Sequence, residues 1–490
     1  MTQMAEQPRT AVKTLRNYVN GSWVEPETTR SLDVTNPANG ELLAQVPLST
    51  RADVDRAVQA ARAAFPAWRS TPPIQRARKC YDLKYLLEET KDELALLVTR
   101  DNGKTLSDAT GEVGRGIECV EVATGIPTLM QGRNLEDIAR GIDCDLIRQP
   151  IGVFTAITPF NFPFMVPLWF LPFAVACGNT FVLKPSEQDP LAMDRLFELL
   201  DGIDLPPGVV NLVQGDKESV NALLEHPEVD GVSFVGSTPV AHYIYETAAK
   251  HGKRVQSLGG AKNHVIVMPD ADMDMAVDGV LSSAFHGAGQ RCLANSVCVA
   301  VGDVYEPFKQ ALVAKGDAMK VAEGTAAGAE VGPVISEAAC ERILGAIERG
   351  VEAGGKLILD GRGKGSDEGS FIGPTIIEAE PGSELATEEI FGPVLTLMPA
   401  RDLDHALELM NSSTKGNAAS IFTTSGQAMR KFRYEAEAGM LGVNIGVAAP
   451  MSYFPFGGWK DSLFGDLNAH GTDSIDFYTD KKTVVTRWPK

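Results

Sequence analysis

Residues 152–184 read GVFTAITPFNFPFMVPLWFLPFAVACGNTFVLK and determine the fold class. Two short runs of apolar and β-branched residues, Gly152–Ile157 and Thr180–Leu183, have the length of buried strands. The three prolines of the intervening segment Phe162–Gly178 favour a packed, broken helix, and the segment falls short of a comfortable membrane span. A strand, a helix and a second strand in this order predict a parallel pair joined by a right-handed crossover.

The same alternation continues toward the carboxyl end and predicts an α/β fold with a parallel sheet. A second α/β block is expected over residues 257–445. The further predicted elements are strands at Val209–Val213, Gly231–Val235, Val265–Met268 and Val297–Val301, and helices at Pro190–Leu200 and Lys217–Glu225.

The ends of the chain show other patterns. Residues 17–50 predict short strands with Asn-Gly turns at Asn20–Gly21 and Asn39–Gly40, and residues 51–125 predict helices. Residues 472–490 resemble terminal strands, and an unpaired terminal ribbon is a place where subunits can meet.

Composition limits the function classes. The 490 residues include 64 acidic and 45 basic side chains, so the net charge of −19 argues against a nucleic-acid partner. The fractions of 44% hydrophobic and 22% charged residues are those of an ordinary globular protein. Seven cysteines without a paired framework, and residues 1–14 without an apolar signal core, predict a cytoplasmic protein with no membrane segment.

Two motifs could supply reacting groups. Cys292 follows Gly289-Gln290-Arg291, where a neighbouring positive charge can favour the thiolate that nucleophilic cysteines need. An inert core cysteine is the alternative. Asn161 follows the strand ending at Ile157, where its amide could donate to a developing oxyanion. A simple turn residue is the alternative there.

Three further motifs could hold a cofactor, although no G-x-G-x-x-G follows a predicted strand. Each also has a plain structural interpretation. The motif at Lys184 could be a solvated loop, the motif at Gly236 a helix start capped by Ser237 or Thr238, and the motif at Glu389 a strand-edge turn. The seven histidines lack metal-ligand spacing, so no metal site is predicted and His264, His286 and His470 are expected to be structural or surface residues. The cofactor-site candidates are Lys184 with Glu187, Gly236 with Ser237, and Glu389 with Phe391.

Taken together in this order and spacing, these five motifs resemble the aldehyde dehydrogenase superfamily from about residue 17 to the end. Residues 159–190, 234–272 and 464–488 are similar to its CoA-acylating, methylmalonate-semialdehyde branch. The resemblance implies that Cys292 attacks an aldehyde while Asn161 and the Cys292 backbone N–H hold the oxyanion. It implies NAD contacts from Lys184 and Glu187 at the adenosine ribose, Gly236 and Ser237 at the pyrophosphate, and Glu389 and Phe391 at the nicotinamide ribose and ring.

The resemblance also implies the domain layout. An NAD-binding Rossmann-like domain is expected over residues 1–130 and 150–256, and an α/β catalytic domain over residues 257–445. Residues 131–149 and 472–490 are expected to form a small oligomerisation β-ribbon, and residues 446–471 to return to the cofactor domain. Dimers or tetramers are the usual assemblies.

One departure from hydrolytic relatives bears on mechanism. Ser257 precedes Leu-Gly-Gly where those enzymes carry a glutamate that activates water, and a serine hydroxyl is a poor base near neutral pH. A thioester on Cys292 is therefore expected to persist until CoA accepts the acyl group. Asp466 could instead recruit water for slow hydrolysis. Arg115 and Arg291 match positions that the branch uses for a substrate carboxylate, which a guanidinium suits.

The sequence thus predicts NAD-dependent, CoA-acylating oxidation of malonate or methylmalonate semialdehyde to acetyl-CoA or propionyl-CoA with loss of CO2. A hydrolytic semialdehyde dehydrogenase that releases a free acid is the first alternative. A non-catalytic binding or structural descendant is the second, although intact Cys292, Asn161 and Glu389 argue against it.

Overall fold

The structure is a computed structural model that describes residues 12–489, so the interpretation of residues 1–14 falls mostly outside this range. The strands form an eight-stranded sheet, a seven-stranded sheet, a three-stranded ribbon, a second three-stranded sheet and a two-stranded sheet. The α-helices are α1 (Arg51–Ser70), α2 (Pro73–Glu89), α3 (Lys91–Asn102), α4 (Leu106–Ala123), α5 (Ile126–Leu129), α6 (Met165–Cys177), α7 (Leu191–Leu200), α8 (Lys217–Glu225), α9 (Thr238–Lys250), α10 (Met273–Phe285), α11 (Tyr305–Ala318), α12 (Glu337–Glu352), α13 (Glu384–Thr387), α14 (Leu403–Asn411), α15 (Gly426–Glu435) and α16 (Gly471–Phe477). The strands are β1 (Lys13–Thr14), β2 (Asn17–Val19), β3 (Ser22–Val24), β4 (Ser31–Thr35), β5 (Leu42–Pro47), β6 (Arg133–Ala139), β7 (Ile142–Pro150), β8 (Val153–Ile157), β9 (Thr180–Lys184), β10 (Val210–Leu212), β11 (Gly231–Val235), β12 (Arg254–Leu258), β13 (Asn263–Val267), β14 (Asn295–Val301), β15 (Lys356–Leu359), β16 (Thr375–Glu378), β17 (Val394–Ala400), β18 (Lys415–Gly416), β19 (Ala418–Phe422), β20 (Met440–Val443), β21 (Trp459–Lys460), β22 (Leu463–Phe464) and β23 (Thr479–Thr486).

The eight-stranded sheet is buried on both faces because its central strands send apolar side chains to both sides. Its order is β22-β12-β11-β8-β9-β10-β2-β3, and the five strands from β12 to β10 run parallel. On β8, Phe154 joins the cluster around α6, whereas Val153 joins the cluster around α1, α8 and α9. Such two-sided burial is the property that makes parallel strands near-continuous apolar runs.

The seven-stranded sheet follows the same rule. Its order is β15-β16-β17-β14-β13-β19-β20, with every pair parallel except β15 and β16. Val265 and Ile266 of β13 point into different apolar clusters. The predicted α/β fold with parallel sheets is therefore confirmed.

Most of the predicted elements are present. Helix α8 and strand β11 have the predicted bounds. The ends of the other predicted strands differ from the observed ends by at most two residues. Both Asn-Gly turns are also found, with left-handed backbone at Asn20, Gly21 and Gly40. No helix within residues 12–489 combines the length and the apolar character that crossing a membrane requires.

The prediction of strands throughout residues 472–490 is wrong for its first part. Gly471–Phe477 form helix α16, and only Thr479–Thr486 form a strand, which pairs with β7 in the ribbon β23-β7-β6. The alternation of Ser474 to Phe477 imitates a strand, but Ile475 and Phe477 are buried in the α6 cluster. The guanidinium of Arg254 also donates to the carbonyl of Phe477 at 2.7 Å, so that end of the helix is satisfied.

The packed helix predicted within Phe162–Gly178 is confirmed, but the predicted break in it is wrong. Residues Met165–Cys177 form one helix, in which Pro167 lies in the first turn and therefore removes no helical hydrogen bond. Pro172 alone interrupts the ladder, and the surrounding side chains are buried almost without exception. Packing on all sides holds the helix together across this proline.

Candidate active site

A cavity of about 440 Å³ brings together four of the candidate residues. Cys292 and Arg291 line it from the segment before β14, Asn161 from the segment after β8, and Arg115 from α4. Residues of the segment 447–456 form another part of the wall. The cavity therefore unites a thiol, a free side-chain amide and two guanidinium groups that are far apart in the sequence.

The backbone around Cys292 is tightly constrained. Gly287, Ala288 and Gly289 all adopt left-handed conformations, and a Cβ on Gly289 would lie 2.2 Å from the carbonyl oxygen of Gly392. The carbonyl of Cys292 accepts hydrogen bonds from two buried amides, Asn263 Nδ2 at 2.8 Å and Asn417 Nδ2 at 2.9 Å. These two contacts fix the position of the thiol-bearing residue.

The surroundings of the Cys292 thiol favour its protonated form. Burial raises its pKa to about 12, and the negative charge of Glu389 acts in the same direction. The guanidinium of Arg291 opposes the shift, as the sequence predicts, but burial outweighs it. A further positive charge in the site is needed to make the thiolate abundant near neutral pH.

Asn161 is held through its backbone, which leaves its side chain to the cavity. Its carbonyl accepts a hydrogen bond of 2.7 Å from Lys104 Nζ. The residue is buried, with 7% of its surface exposed, and its side-chain amide bonds to no other described residue. A pre-placed amide donor beside a thiol is suited to an oxyanion that forms when the thiol adds to a carbonyl.

The two arginines differ in their partners. Arg115 pairs with Glu118 at 2.6 Å and also donates to the carbonyl of Pro450. The Arg291 guanidinium donates to the carbonyl of Ser282 at 3.2 Å, and no carboxylate of the described residues lies within 4.0 Å of it. Burial lowers its pKa. Arg291 is thus a half-buried cation on which Asp108 acts only from beyond 4.0 Å, and it favours an anionic ligand.

No carboxylate in the cavity wall is placed to be an efficient base. Asp108 accepts from the Gly287 N–H at 3.0 Å, and its pKa is lowered by His286 with help from Arg291 and Lys104. Glu112 accepts from Lys104 at 2.5 Å and from the backbone N–H groups of Phe164 and Met165. The oxygens of both side chains therefore already accept hydrogen bonds from the protein.

The two positions singled out for water activation lie outside this wall. Ser257 is buried in β12, and its hydroxyl donates to the carbonyl of Ala241 at 2.8 Å. Asp466 is exposed. Neither of them is among the residues that line the cavity.

Candidate cofactor residues meet at the carboxyl ends of neighbouring strands. Lys184 ends β9, and its Nζ pairs with Glu187 at 2.6 Å. Gly236 follows β11, and Ser237 occupies the N-cap position of α9, although its side chain makes no capping hydrogen bond. Because β9, β8 and β11 are adjacent and parallel, these residues share one sheet edge with the Asn161 segment.

Glu389 and Phe391 approach this edge from the other large sheet. Glu389 Oε1 accepts from the Ala261 N–H at 3.1 Å, and burial raises the pKa of its carboxyl to about 6. A Cβ on Gly260 would lie 2.3 Å from this carboxylate, so only glycine allows the approach. The Phe391 ring packs edge-on against Phe160 with centroids 5.8 Å apart.

Sequence reasoning missed several cavity residues. Cys119, which was not singled out, and His470, which was expected to be structural or at the surface, both line the cavity. Cys119 Sγ lies 3.2 Å from Ser452 Oγ and 3.9 Å from His470 Nε2. Burial lowers the pKa of His470 to about 3, so its imidazole is neutral. The buried pair Lys104–Glu112 was missed because no local pattern connects it to Asn161.

Comparisons with known proteins identify the family of this chain. The Aldehyde dehydrogenase family matches residues 23–484. Malonate-semialdehyde dehydrogenase 3 of Geobacillus kaustophilus is 53% identical over 482 residues, which cover 98% of this chain and 100% of that protein. The crystal structure of methylmalonate-semialdehyde dehydrogenase from Oceanimonas doudoroffii superposes with a TM-score of 0.96 at 47% identity and covers 98% of this chain and 99% of that one. A Sinorhizobium meliloti protein complexed with NAD has the same TM-score at 43% identity, with 98% and 99% covered.

Proposed function

We propose that this chain, which belongs to the aldehyde dehydrogenase family, oxidises malonate or methylmalonate semialdehyde with NAD and passes the acyl group to CoA. The observation that carries the proposal is the shared cavity of Cys292, Asn161, Arg115 and Arg291. It offers a nucleophile, an oxyanion donor and two cations for a carboxylate. The substrate class is supported by relatives that are named for these two semialdehydes and are 53% and 47% identical to this chain.

The residues at the strand ends fit a dinucleotide. The Lys184–Glu187 pair is suited to the adenosine ribose, and the turn at Gly236 lies where α9 begins, so N–H groups face the pyrophosphate position. The charge of Glu389 acts on the Cys292 thiol, so Glu389 and Phe391 would hold the nicotinamide end. NAD, when bound there, supplies the hydride acceptor and a cationic ring beside the thiol. The negative charge of Glu187 disfavours the 2′-phosphate of NADP.

The oxidation begins when the Cys292 thiol loses its proton to solvent and the resulting thiolate attacks the aldehyde carbon. The carbonyl oxygen becomes an oxyanion that the Asn161 amide and the Cys292 N–H stabilise, an interaction typically worth about 3–4 kcal/mol. Departure of the hydride restores the carbonyl and leaves a thioester on Cys292. The two oriented asparagines, Asn263 and Asn417, keep the sulfur in place throughout by holding the Cys292 carbonyl.

The arginines then determine the fate of the substrate carboxylate. Arg291 holds it most directly because its own charge has no carboxylate partner among the described residues. Cleavage of the bond to the carboxylate releases CO2 and leaves the electron pair in a thioester enolate, whose oxygen again faces the Asn161 amide. Protonation of the carbon gives an acetyl or propionyl thioester.

Transfer to CoA is favoured over hydrolysis because few side chains near the thioester could act as a base toward water. Ser257 is buried and bonded to α9, Asp466 is exposed, and Asp108 and Glu112 are engaged. Water in the cavity therefore lacks an efficient activating group. The thiol of CoA attacks the thioester, and Cys292 leaves with the electron pair.

The predicted domain layout is part of this proposal, with the terminal strand shortened to β23. The cofactor domain comprises residues 1–130 and 150–256, the catalytic domain residues 257–445, and residues 446–471 return to the cofactor domain. The ribbon of β6, β7 and β23, which covers most of residues 131–149 and the strand part of 472–490, joins subunits into dimers or tetramers, an assignment supported by exposed Leu135 and Val485 on its strands. The odd number of cysteines supports a cytoplasmic enzyme.

NADH formation from malonate and methylmalonate semialdehydes tests the proposal. Wild-type enzyme is expected to reduce NAD with both aldehydes when CoA is present. A Cys292→Ala variant is expected to bind NAD normally and to form no NADH, and Cys298→Ala, which changes a buried thiol away from the cavity, serves as the matched control. Turnover by the Cys292→Ala variant would refute the proposal.

A further inference from the structure

Two buried side chains, Lys104 and Glu112, lie beneath the segment that carries Asn161. Lys104 exposes 4% of its surface and Glu112 exposes 3%, and both border the cavity. Their charged ends meet at 2.5 Å. Buried ion pairs bring little net stability, since desolvation offsets most of their attraction, so their retention beside a reactive site calls for another explanation.

The pair contacts the Asn161 segment from both ends. Lys104 Nζ donates to the carbonyl of Asn161 at 2.7 Å and lies 4.3 Å from the centre of the Phe162 ring. Glu112 Oε1 accepts from the N–H groups of Phe164 at 2.9 Å and Met165 at 3.1 Å. The two oxygens of Glu112 are thus divided between the cation and the start of α6.

This arrangement fixes the backbone and leaves the Asn161 amide free. The segment from Asn161 to Phe164 precedes α6 and has no strand partner, so these polar contacts largely determine where the Asn161 side chain starts. An oxyanion donor acts only when it is held at the position the oxygen will occupy. A displacement of about 1 Å can cost about 10²-fold in rate.

We propose that Lys104 and Glu112 are positioning residues that set the oxyanion site through the Asn161 backbone. The inference rests on the proposed function, because it presumes that the Asn161 amide acts on the reacting oxygen. It assigns to α4 and the loop before it a role beyond packing. The pair acts on the oxidation step and on the enolate that follows loss of CO2, since both place charge on the same oxygen.

The test compares the double variant Lys104→Met/Glu112→Gln with wild type. The Glu112→Gln change keeps an oxygen for the N–H groups of Phe164 and Met165, while the Lys104→Met change removes the bond to Asn161. We expect kcat to fall about 10²-fold, with KM for NAD and the alkylation rate of Cys292 near their wild-type values. Lys309→Met is the matched control and is expected to keep full activity. It breaks the ion pair between Lys309 and Glu378, whose charged atoms are 2.8 Å apart and which does not line the cavity.

A second variant distinguishes a loss of positioning from a loss of folding. Lys104→Arg keeps the cation and its pairing with Glu112 but changes the donor geometry at Asn161. It is expected to retain the melting temperature of the wild type and to lose kcat. Wild-type kcat in both variants would overturn the proposal.

Combination with Asn161→Ala separates positioning from general structural damage. Asn161→Ala alone is expected to lower kcat about 10²- to 10³-fold. If the pair acts through Asn161, adding Lys104→Met/Glu112→Gln to this variant costs little more, because the amide it positions is already gone. Losses that multiply would overturn the positioning role alone, whereas full activity of Asn161→Ala would overturn the proposed function as well.

Discussion

Replacing Arg291 with glutamine separates recognition of the substrate carboxylate from the rest of catalysis. Arg291 is the cavity cation that lacks a carboxylate partner within 4.0 Å among residues 12–489, whereas Arg115 pairs with Glu118. A hydrogen bond to a charged group is typically worth about 1.5–3 kcal/mol, which converts to a loss of about 13- to 160-fold in kcat/KM. That loss is expected for malonate semialdehyde.

The same variant has a second effect, which an uncharged substrate isolates. The guanidinium of Arg291 holds the pKa of the Cys292 thiol below the value that burial alone would give, so its removal makes the thiol harder to ionise. This effect slows propionaldehyde and malonate semialdehyde alike. The ratio of the two kcat/KM values therefore reports carboxylate recognition alone, and is measured by NADH formation with saturating NAD and CoA.

A ratio that stays at the wild-type value in Arg291→Gln would refute the assignment of Arg291 to the carboxylate. A ratio that falls by the calculated factor would support it. Arg115→Gln is expected to change the ratio less, because Glu118 already neutralises part of the Arg115 charge.

Two further predictions concern the thiol and the cofactor. Without NAD, alkylation of Cys292 by iodoacetamide is expected to be slow at neutral pH, and its rate to rise about tenfold per pH unit as pH increases toward a pKa of about 12. Addition of NAD is expected to accelerate it. Mass spectrometry of the labelled peptide measures the rate, and a pH-independent rate would contradict this prediction. Glu187→Gln is expected to raise kcat/KM for NADP relative to NAD, because removal of the carboxylate removes its repulsion of a 2′-phosphate, and an unchanged ratio would place the adenosine ribose elsewhere.

Local patterns were sufficient for the framework of the fold. Strand β11 and helix α8 were predicted with their observed bounds, because a short apolar run and an amphipathic run carry their own periodicity. Residues 471–477 were not, because Ile475 and Phe477 gain their burial from α6, about three hundred residues earlier in the chain. The family resemblance, which rested on five motifs, is confirmed by the match over residues 23–484.

The site was predictable only where a motif carries its own chemistry. Cys292 and Asn161 stand in recognisable settings, and the structure places both in one cavity. The role of Lys104 and Glu112 could not be predicted, because it depends on contacts with Asn161 and Phe164, which are more than fifty residues away in the chain. His470 was missed because its place in the cavity wall depends on long-range contacts, such as the one between its Nε2 and Cys119 Sγ at 3.9 Å.

The most direct measurement is the intact mass of the enzyme after mixing with malonate semialdehyde and NAD in the absence of CoA. We expect one acetyl group per active chain, absent from Cys292→Ala and released as acetyl-CoA when CoA is added, because no efficient base in the cavity hydrolyses the thioester. Rapid release of free acetate without CoA, with no acyl-enzyme accumulating, would contradict the proposed transfer to CoA.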